Sequence, residues 1–262
     1  MAGIRGRTAG VAFATMGVQE PVENPDECGG RHSLFRPLPS ECLEPIDTDR
    51  PHLTDSPGVV PPGYVQLELG VFAYEVRRGQ RNQLSFFNNL YKLGLVDRVD
   101  LELFLNHIAV EGGAPRFASG PVVVRSKVAL PSTERLHVTL VPIVAIPFDA
   151  DPGAAGAFVF LGWEPVRSVD VELNAGVTFP FAESAPPVMV ASSAVTYRVS
   201  GPVRAFGEFY TVSDPSTTAQ LTFGTGVLVA IGRDTQFDAG VFTGLWGDTP
   251  TFTSFVGFSF RR

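Results

Sequence analysis

The chain has 262 residues, 44% of them hydrophobic, and a formal net charge of −7. That composition belongs to a folded protein, and an acidic balance with scattered arginines and only two lysines, Lys92 and Lys127, argues against a nucleic-acid partner. No apolar run reaches the about 18 residues of a membrane helix; this leaves open a wall of tilted strands, which cross a bilayer with roughly 9 to 11 residues and meet lipid only through alternate side chains.

The amino terminus, MAGIRGRTAGVAFATMGVQ, has two arginines before a short, weakly apolar run, and reads either as a weak export signal or as a flexible tail. Residues 1–62 are polar, rich in proline, and hold both cysteines, Cys28 and Cys42. In an oxidising periplasm these two could pair; two lone thiols are the alternative, and with only His32 nearby a metal site is not expected. This arm is the only compositional break, so the chain divides into an arm, 1–62, and one domain, 63–262.

From Gly63 the sequence falls into twelve runs bounded by Gly, Pro, Asp and Ser: about 63–75, 84–95, 99–109, 120–130, 135–146, 155–163, 169–179, 187–198, 203–211, 218–230, 235–245 and 251–261. The connections after runs two, four, six, eight and ten are short. Those after runs three, five, seven and eleven are longer, as in barrels with tight periplasmic turns and larger outer loops.

Period-two alternation gives each run two faces. In VDLELFLN, Val99, Leu101, Leu103 and Leu105 oppose Asp100, Glu102, Phe104 and Asn106. VDVELNAGVTF repeats the pattern, with Asp170 and Glu172 on the polar side. The same parity puts Glu68, Lys92, Arg125, Lys127, Arg198, Arg204, Glu208 and Asp238 on the polar face, and no charge in mid-strand on the apolar one. A lipid-facing charge near the midplane costs about 2 to 4 kcal/mol, so a bilayer would enforce that exclusion, although a soluble core would as well. The scarcity of lysine, the even run count and the aromatics near run ends (Tyr64, Phe72, Tyr74, Trp163, Phe179, Phe209, Tyr210, Phe252) favour the bilayer. The reading is a single all-β transmembrane antiparallel β-barrel of about twelve strands with a mostly irregular N-terminal arm. A soluble β-sandwich or lipocalin-like binding protein is the alternative.

The stretch TDRPHLTDSPGVVPPGYVQLELG, Thr48 to Gly70, resembles the amino-terminal signature of an outer-membrane transporter family of the meta-pathway of phenol degradation. Thr48, Asp49, Arg50, Pro51, Thr54, Ser56, Pro57, Val60, Pro61, Gly63, Gln66 and Glu68 carry the likeness, which continues through LGLVDRVDLEL, SGPVVVRSKVAL, LVPIVAIPF and the closing FDAGVFTGL and FVGFSF segments. The resemblance implies a twelve-stranded outer-membrane pore or transporter for small solutes, hydrophobic or aromatic ones among them. The chain departs from the usual barrel ending, because Phe260 is followed by Arg261 and Arg262.

The candidate site is therefore the lumen. Its expected lining is the near-balanced set Glu68, Lys92, Asp100, Glu102, Arg125, Lys127, Asp170, Glu172, Arg198, Arg204, Glu208 and Asp238, either selecting or gating solutes or forming a salt-bridge lattice that stiffens the wall. Asp49, Arg50 and Asp55 of the arm have the charge to pair with it as a plug; a mobile periplasmic tail is the other reading. A barrel lipid hydrolase would need His107 or His137, but no serine is placed with either by spacing, so no enzyme is expected. Nor is a cofactor or metal expected. The expected partners are the lipid bilayer of the bacterial outer membrane and a small-molecule solute; nothing in the sequence sets an oligomeric state.

Overall fold

A computed structural model describes residues 28–105, 108–111, 114–117, 121–147, 152–216 and 218–262. The export-signal expectation and His107 lie outside the described residues. Alternating sequence gives strands wherever it occurs: β1 Val65–Val76, β2 Gln83–Val96, β3 Val99–Leu105, β4 Ile108–Glu111, β5 Ala114–Phe117, β6 Val122–Ala129, β7 Leu136–Ile146, β8 Ala154–Val166, β9 Val169–Pro180, β10 Val188–Ser200, β11 Val203–Ser213, β12 Gln220–Ile231, β13 Thr235–Trp246 and β14 Phe252–Arg261. All neighbours pair antiparallel, and β1 pairs both β2 and β14, so the sheet closes on itself. A closed wall leaves no sheet edge, which is what hydrocarbon demands of a backbone.

Twelve strands make that wall. β3 and β6 are adjacent, while β4 extends the line of β3 along β2 and β5 folds back on β4. The third run, read as continuous over 99–109, thus ends as β3 at Leu105, and its last two residues form a short hairpin with part of the loop read after it; Ile108, Ala109 and Val110 are apolar like the run before them, so pattern alone does not separate them from strand three.

The apolar parity faces outward. Leu101, Leu140, Val159, Leu173, Val195, Val227 and Phe237, drawn from seven strands, all have more than a third of their surface exposed. An apolar belt of this extent around a closed wall has no counterpart on a soluble sandwich, whose apolar faces are the core. Phe72, Tyr74, Trp163, Phe179, Phe209 and Phe252 are exposed with it. Two of the aromatics assigned to the rim serve elsewhere: Tyr64 donates its hydroxyl to the Leu38 carbonyl of the arm (3.0 Å), and Tyr210 lies on the inward face two residues from Glu208. Their position near run ends is shared with true rim residues, and parity separates them.

The β1–β2 ladder is interrupted at Val71 and Phe87, between the pairs Gly70–Asn88 and Phe72–Phe86, and opposite it the register of β1 on β14 slips by one residue, Gly70 pairing Gly257 and Phe72 pairing Val256. This bulge turns Phe72 and Tyr74 outward and Ala73 inward against Phe255.

Candidate functional site

The described part of the arm, from Cys28, lies at the short-turn end of the barrel. Cys28 and Cys42 are joined by a disulfide, and Ile46 donates to the Arg233 carbonyl (2.7 Å) on the β12–β13 turn. From there residues 47–60 run inside the wall before Gly63 and Tyr64 rejoin β2 through Gly94. This loop has no regular secondary structure. Buried backbone groups need partners, and here the wall side chains supply them.

Three carboxylates do most of this. Glu68 accepts the amides of Asp49 (3.2 Å) and Arg50 (2.9 Å), Glu208 accepts those of Leu53 (2.9 Å) and Thr54 (3.0 Å) with the Thr54 hydroxyl (3.0 Å), and Asp100 accepts that of Val60 (2.9 Å). Donors answer the carbonyls: Gln66 to Asp47 (2.6 Å), Asn174 to Asp55 (3.0 Å), Lys127 to Ser56 (2.7 Å) and Gly58 (3.1 Å), and Thr139 to Pro57 (2.6 Å). Gln236 donates to the Thr48 hydroxyl (2.7 Å) and the Arg50 carbonyl (3.2 Å).

Charge complements the backbone bonds. Asp49 meets Arg125 (2.6 Å), Lys127 (2.6 Å) and Lys92 (2.8 Å), and Arg50 meets Asp238 (3.1 Å). Arg125 also pairs with Asp55 (2.7 Å) and with Glu102, while Lys92 pairs with Glu68 (2.6 Å). Glu68, Asp100, Glu102 and Lys127 are fully shielded from solvent. Burial pushes the Asp49 carboxyl up, but Lys127, Lys92 and Arg125 outweigh it and hold the group well below its ordinary value. Burial also raises Asp55, against the pull of Arg125. For His52, burial favours the neutral ring, yet Glu172, 3.4 Å away, and Glu208 hold its pKa above the ordinary 6.5.

Of the expected lining, Glu68, Lys92, Asp100, Glu102, Arg125, Lys127, Glu208 and Asp238 therefore gather with Asp49, Arg50 and Asp55 into one belt. Asp170, Glu172 and Arg204 line a cavity of about 700 Å³ at the short-turn mouth, with His52, Thr196 and Leu228. Arg204 bonds Gln236 there (2.8 Å). Arg198 shares the inward parity but is exposed at the mouth, away from the belt. His137 is exposed beside Ser132 on the β6–β7 turn, Oγ to Nδ1 3.4 Å.

Sequence reasoning put Phe104 on the polar face but missed the aromatic layer in the lumen to which it belongs. Phe104 lies against the Arg125 guanidinium (4.6 Å), Phe160 faces Arg125 and Lys127, Phe206 meets His52 edge-on (4.4 Å), and Phe255 stacks with Phe242 (4.9 Å) near Arg50. Phe160, Phe206 and Phe255 are buried. They hold the same parity as the charges, Phe206 standing two residues before Glu208, and that parity was the available signal. Of the uncharged partners, Gln66, Asn174 and Gln236 fall on the polar face by parity but were not counted among the site residues, and Thr139 was missed.

The arrangement is a closed wall bonded to its own arm through residues between Thr48 and Glu68. The model of the family described as "Putative MetA-pathway of phenol degradation" matches residues 48–261. The chain belongs to this family. The match begins at Thr48, where the inserted loop first contacts Gln236, and leaves the disulfide-bonded segment outside it.

Solved structures share the fold at low identity. The chain resembles the NanC porin (TM-score 0.56, 11% identity, covering 74% of this chain and 98% of that one) and the KdgM porin (TM-score 0.54, 7%, 74% and 98%). It also resembles the COG4313 outer membrane channel from Pseudomonas putida F1 (TM-score 0.55, 9%, 76% and 95%). No curated protein matches the sequence.

Proposed function

We propose that the protein is a channel of the bacterial outer membrane that passes small solutes, and that residues 47–60 act as a plug in its lumen. The observation that carries this is the complementarity between arm and wall: arm amides and carbonyls meet wall side chains, and Asp49 and Arg50 meet fully or nearly buried opposite charges. A twelve-stranded wall is wider than one that side chains alone fill and narrower than an open porin, so a single inserted loop suffices to close it. Solutes then pass when the loop shifts, and the lumenal charges act as its docking site as well as a lining.

The solutes fitted to this lumen are small and apolar or aromatic. Phe104, Phe158, Phe160, Phe206, Phe242 and Phe255 give the passage aromatic faces beside the charged belt, and the family description concerns phenol degradation. Acids and bases nearly balance, so strong ion selectivity is not expected. The outward belt sets the bilayer as partner, and short turns on the arm's side orient that side to the periplasm.

Planar-bilayer recording of the purified chain tests this reading. The expected result is a low or intermittent conductance that rises when arm contacts are removed. Bilayers that stay silent with both the full chain and arm-contact variants would sink it.

A further inference from the structure

Ahead of the family match, the segment closed by Cys28 and Cys42 does something that plugging does not require. Ser33 forms an isolated antiparallel bridge with Val96, and Leu34 donates to the Leu95 carbonyl (2.6 Å), so these residues occupy the place beside β2 that β1 vacates when it turns inward at Gly63. Ser33 and Arg36 exchange reciprocal backbone bonds of 2.9 Å, making a tight turn. His32 fixes it to the β2–β3 turn by donating to Asp97 (3.0 Å). The residue at the tip is Phe35, 94% exposed, and Arg31 and Arg36 on either side are exposed as well.

An ordered, disulfide-closed turn that holds a phenylalanine out from the protein has an apolar destination. Val96, the residue bridged by Ser33, is 44% exposed on the outward face, with Val65 and Leu101 close by at 49% and 40%. Phe35 is thus continuous with the lipid-facing wall. It is two residues from the bridge, at most about 7 Å along an extended chain. The headgroup zone on one side of a bilayer is roughly 5 to 7 Å thick. Aromatic side chains settle in that zone, and guanidinium groups bond lipid phosphates there.

We propose that this turn is an interfacial foot, with Phe35 seated among the headgroups of the adjoining leaflet and Arg31 and Arg36 on their phosphates. The foot fixes the disulfide-closed segment, residues 28–42, to the membrane while residues 47–60 remain free to leave the lumen. The proposal rests on the reading of the barrel as membrane-embedded.

The test places the full-length, oxidised F35W/W163F/W246F variant, whose single indole sits at position 35, in phospholipid vesicles carrying doxyl groups either near the headgroup or at the chain end. W246F, which keeps only the outward Trp163, reports the wall. Heat-modifiable migration selects folded protein. The expected result is blue-shifted emission from the F35W indole, quenched more by the headgroup-proximal doxyl than by the terminal one and protected from aqueous iodide, with part of that protection lost in R31E/R36E. An F35W indole open to iodide and untouched by either lipid, while Trp163 is quenched, overturns the foot and leaves the barrel standing. Protection from iodide without quenching by either doxyl lipid, while Trp163 is quenched, also overturns it, since protein would then be covering the turn. Absence of lipid quenching at Trp163 as well would overturn the membrane reading together with the foot.

Discussion

Asp49→Asn removes the charge on which three cations converge and keeps the side chain's size. In the native chain the Asp49 carboxylate touches Lys92, Arg125 and Lys127 within 2.8 Å and accepts the Ser56 amide. The three cations are not equally dependent on it. Lys92 retains Glu68 and Arg125 retains Glu102 and Asp55, but Lys127 is left with Glu102 at 3.7 Å and two arm carbonyls. Breaking a buried pair by removing one partner costs about 3 to 5 kcal/mol, and the surviving partners put this case at the lower end. About 3 kcal/mol shifts the docked-to-released ratio of the loop by roughly a hundredfold. Hydrogen exchange at the Arg50, Leu53 and Thr54 amides reads that ratio directly, because each is bonded to a wall carboxylate. These amides should exchange faster by that factor, with the strand amides unchanged and conductance increased. Exchange and conductance equal to the native protein's would refute the claim that this charge cluster holds the loop.

Other substitutions probe different parts of the same mechanism. At Gly94 a Cβ would meet the Pro61 and Val60 carbonyls, so Gly94→Val should loosen the point where the arm leaves the lumen by about 1 to 3 kcal/mol, read as faster proteolysis of the arm in an otherwise folded barrel. Because His52 has a docked pKa above 6.5, the docked state binds its proton more tightly than the released one. Its contribution is therefore complete below pH 6.5 and is lost as pH rises through the docked value; conductance should increase over that interval, and His52→Gln should flatten the dependence. Asp49 has the opposite sign: its contribution is present above its ordinary value of 3.8 and is lost only in stronger acid, so mild acid alone should not release the loop. Val159→Arg, on the outward face of mid-β8, should cost about 2 to 4 kcal/mol and lower the heat-modifiable fraction, and an unchanged fraction would argue against lipid at that position.

The wall was largely legible in the sequence because a single rule, alternation at period two, determines both strand and face. Val99 to Leu105 and Val169 to Phe179 can be assigned residue by residue from it, and the assignment of Lys127 and Asp238 inward follows. The rule fails where its cause is interrupted. The bulge at Val71 and Phe87 reverses parity without a marker in the sequence, and the hairpin after β3 is too short to declare itself. The site was legible as a set of charges but not as a set of contacts. That Glu208 receives Leu53 and Thr54 depends on how far the loop reaches across the lumen, a distance between segments about 155 residues apart that no local pattern encodes. The inward phenylalanines were hidden for another reason. Phe206 and Phe255 look like lipid-facing residues by type and are distinguished only by counting from a neighbouring charge or glycine. The polar, proline-containing run from Asp47 to Pro62 reads as disordered because its backbone partners lie in the wall.

The central claim, a solute channel closed by its own arm, is tested most directly by solute flux into liposomes holding equal amounts of native protein, Asp49→Asn, or no protein. A small aromatic solute should enter slowly through the native channel and faster through Asp49→Asn, with only background leakage in the absence of protein. Identical rates in all three preparations would contradict the claim.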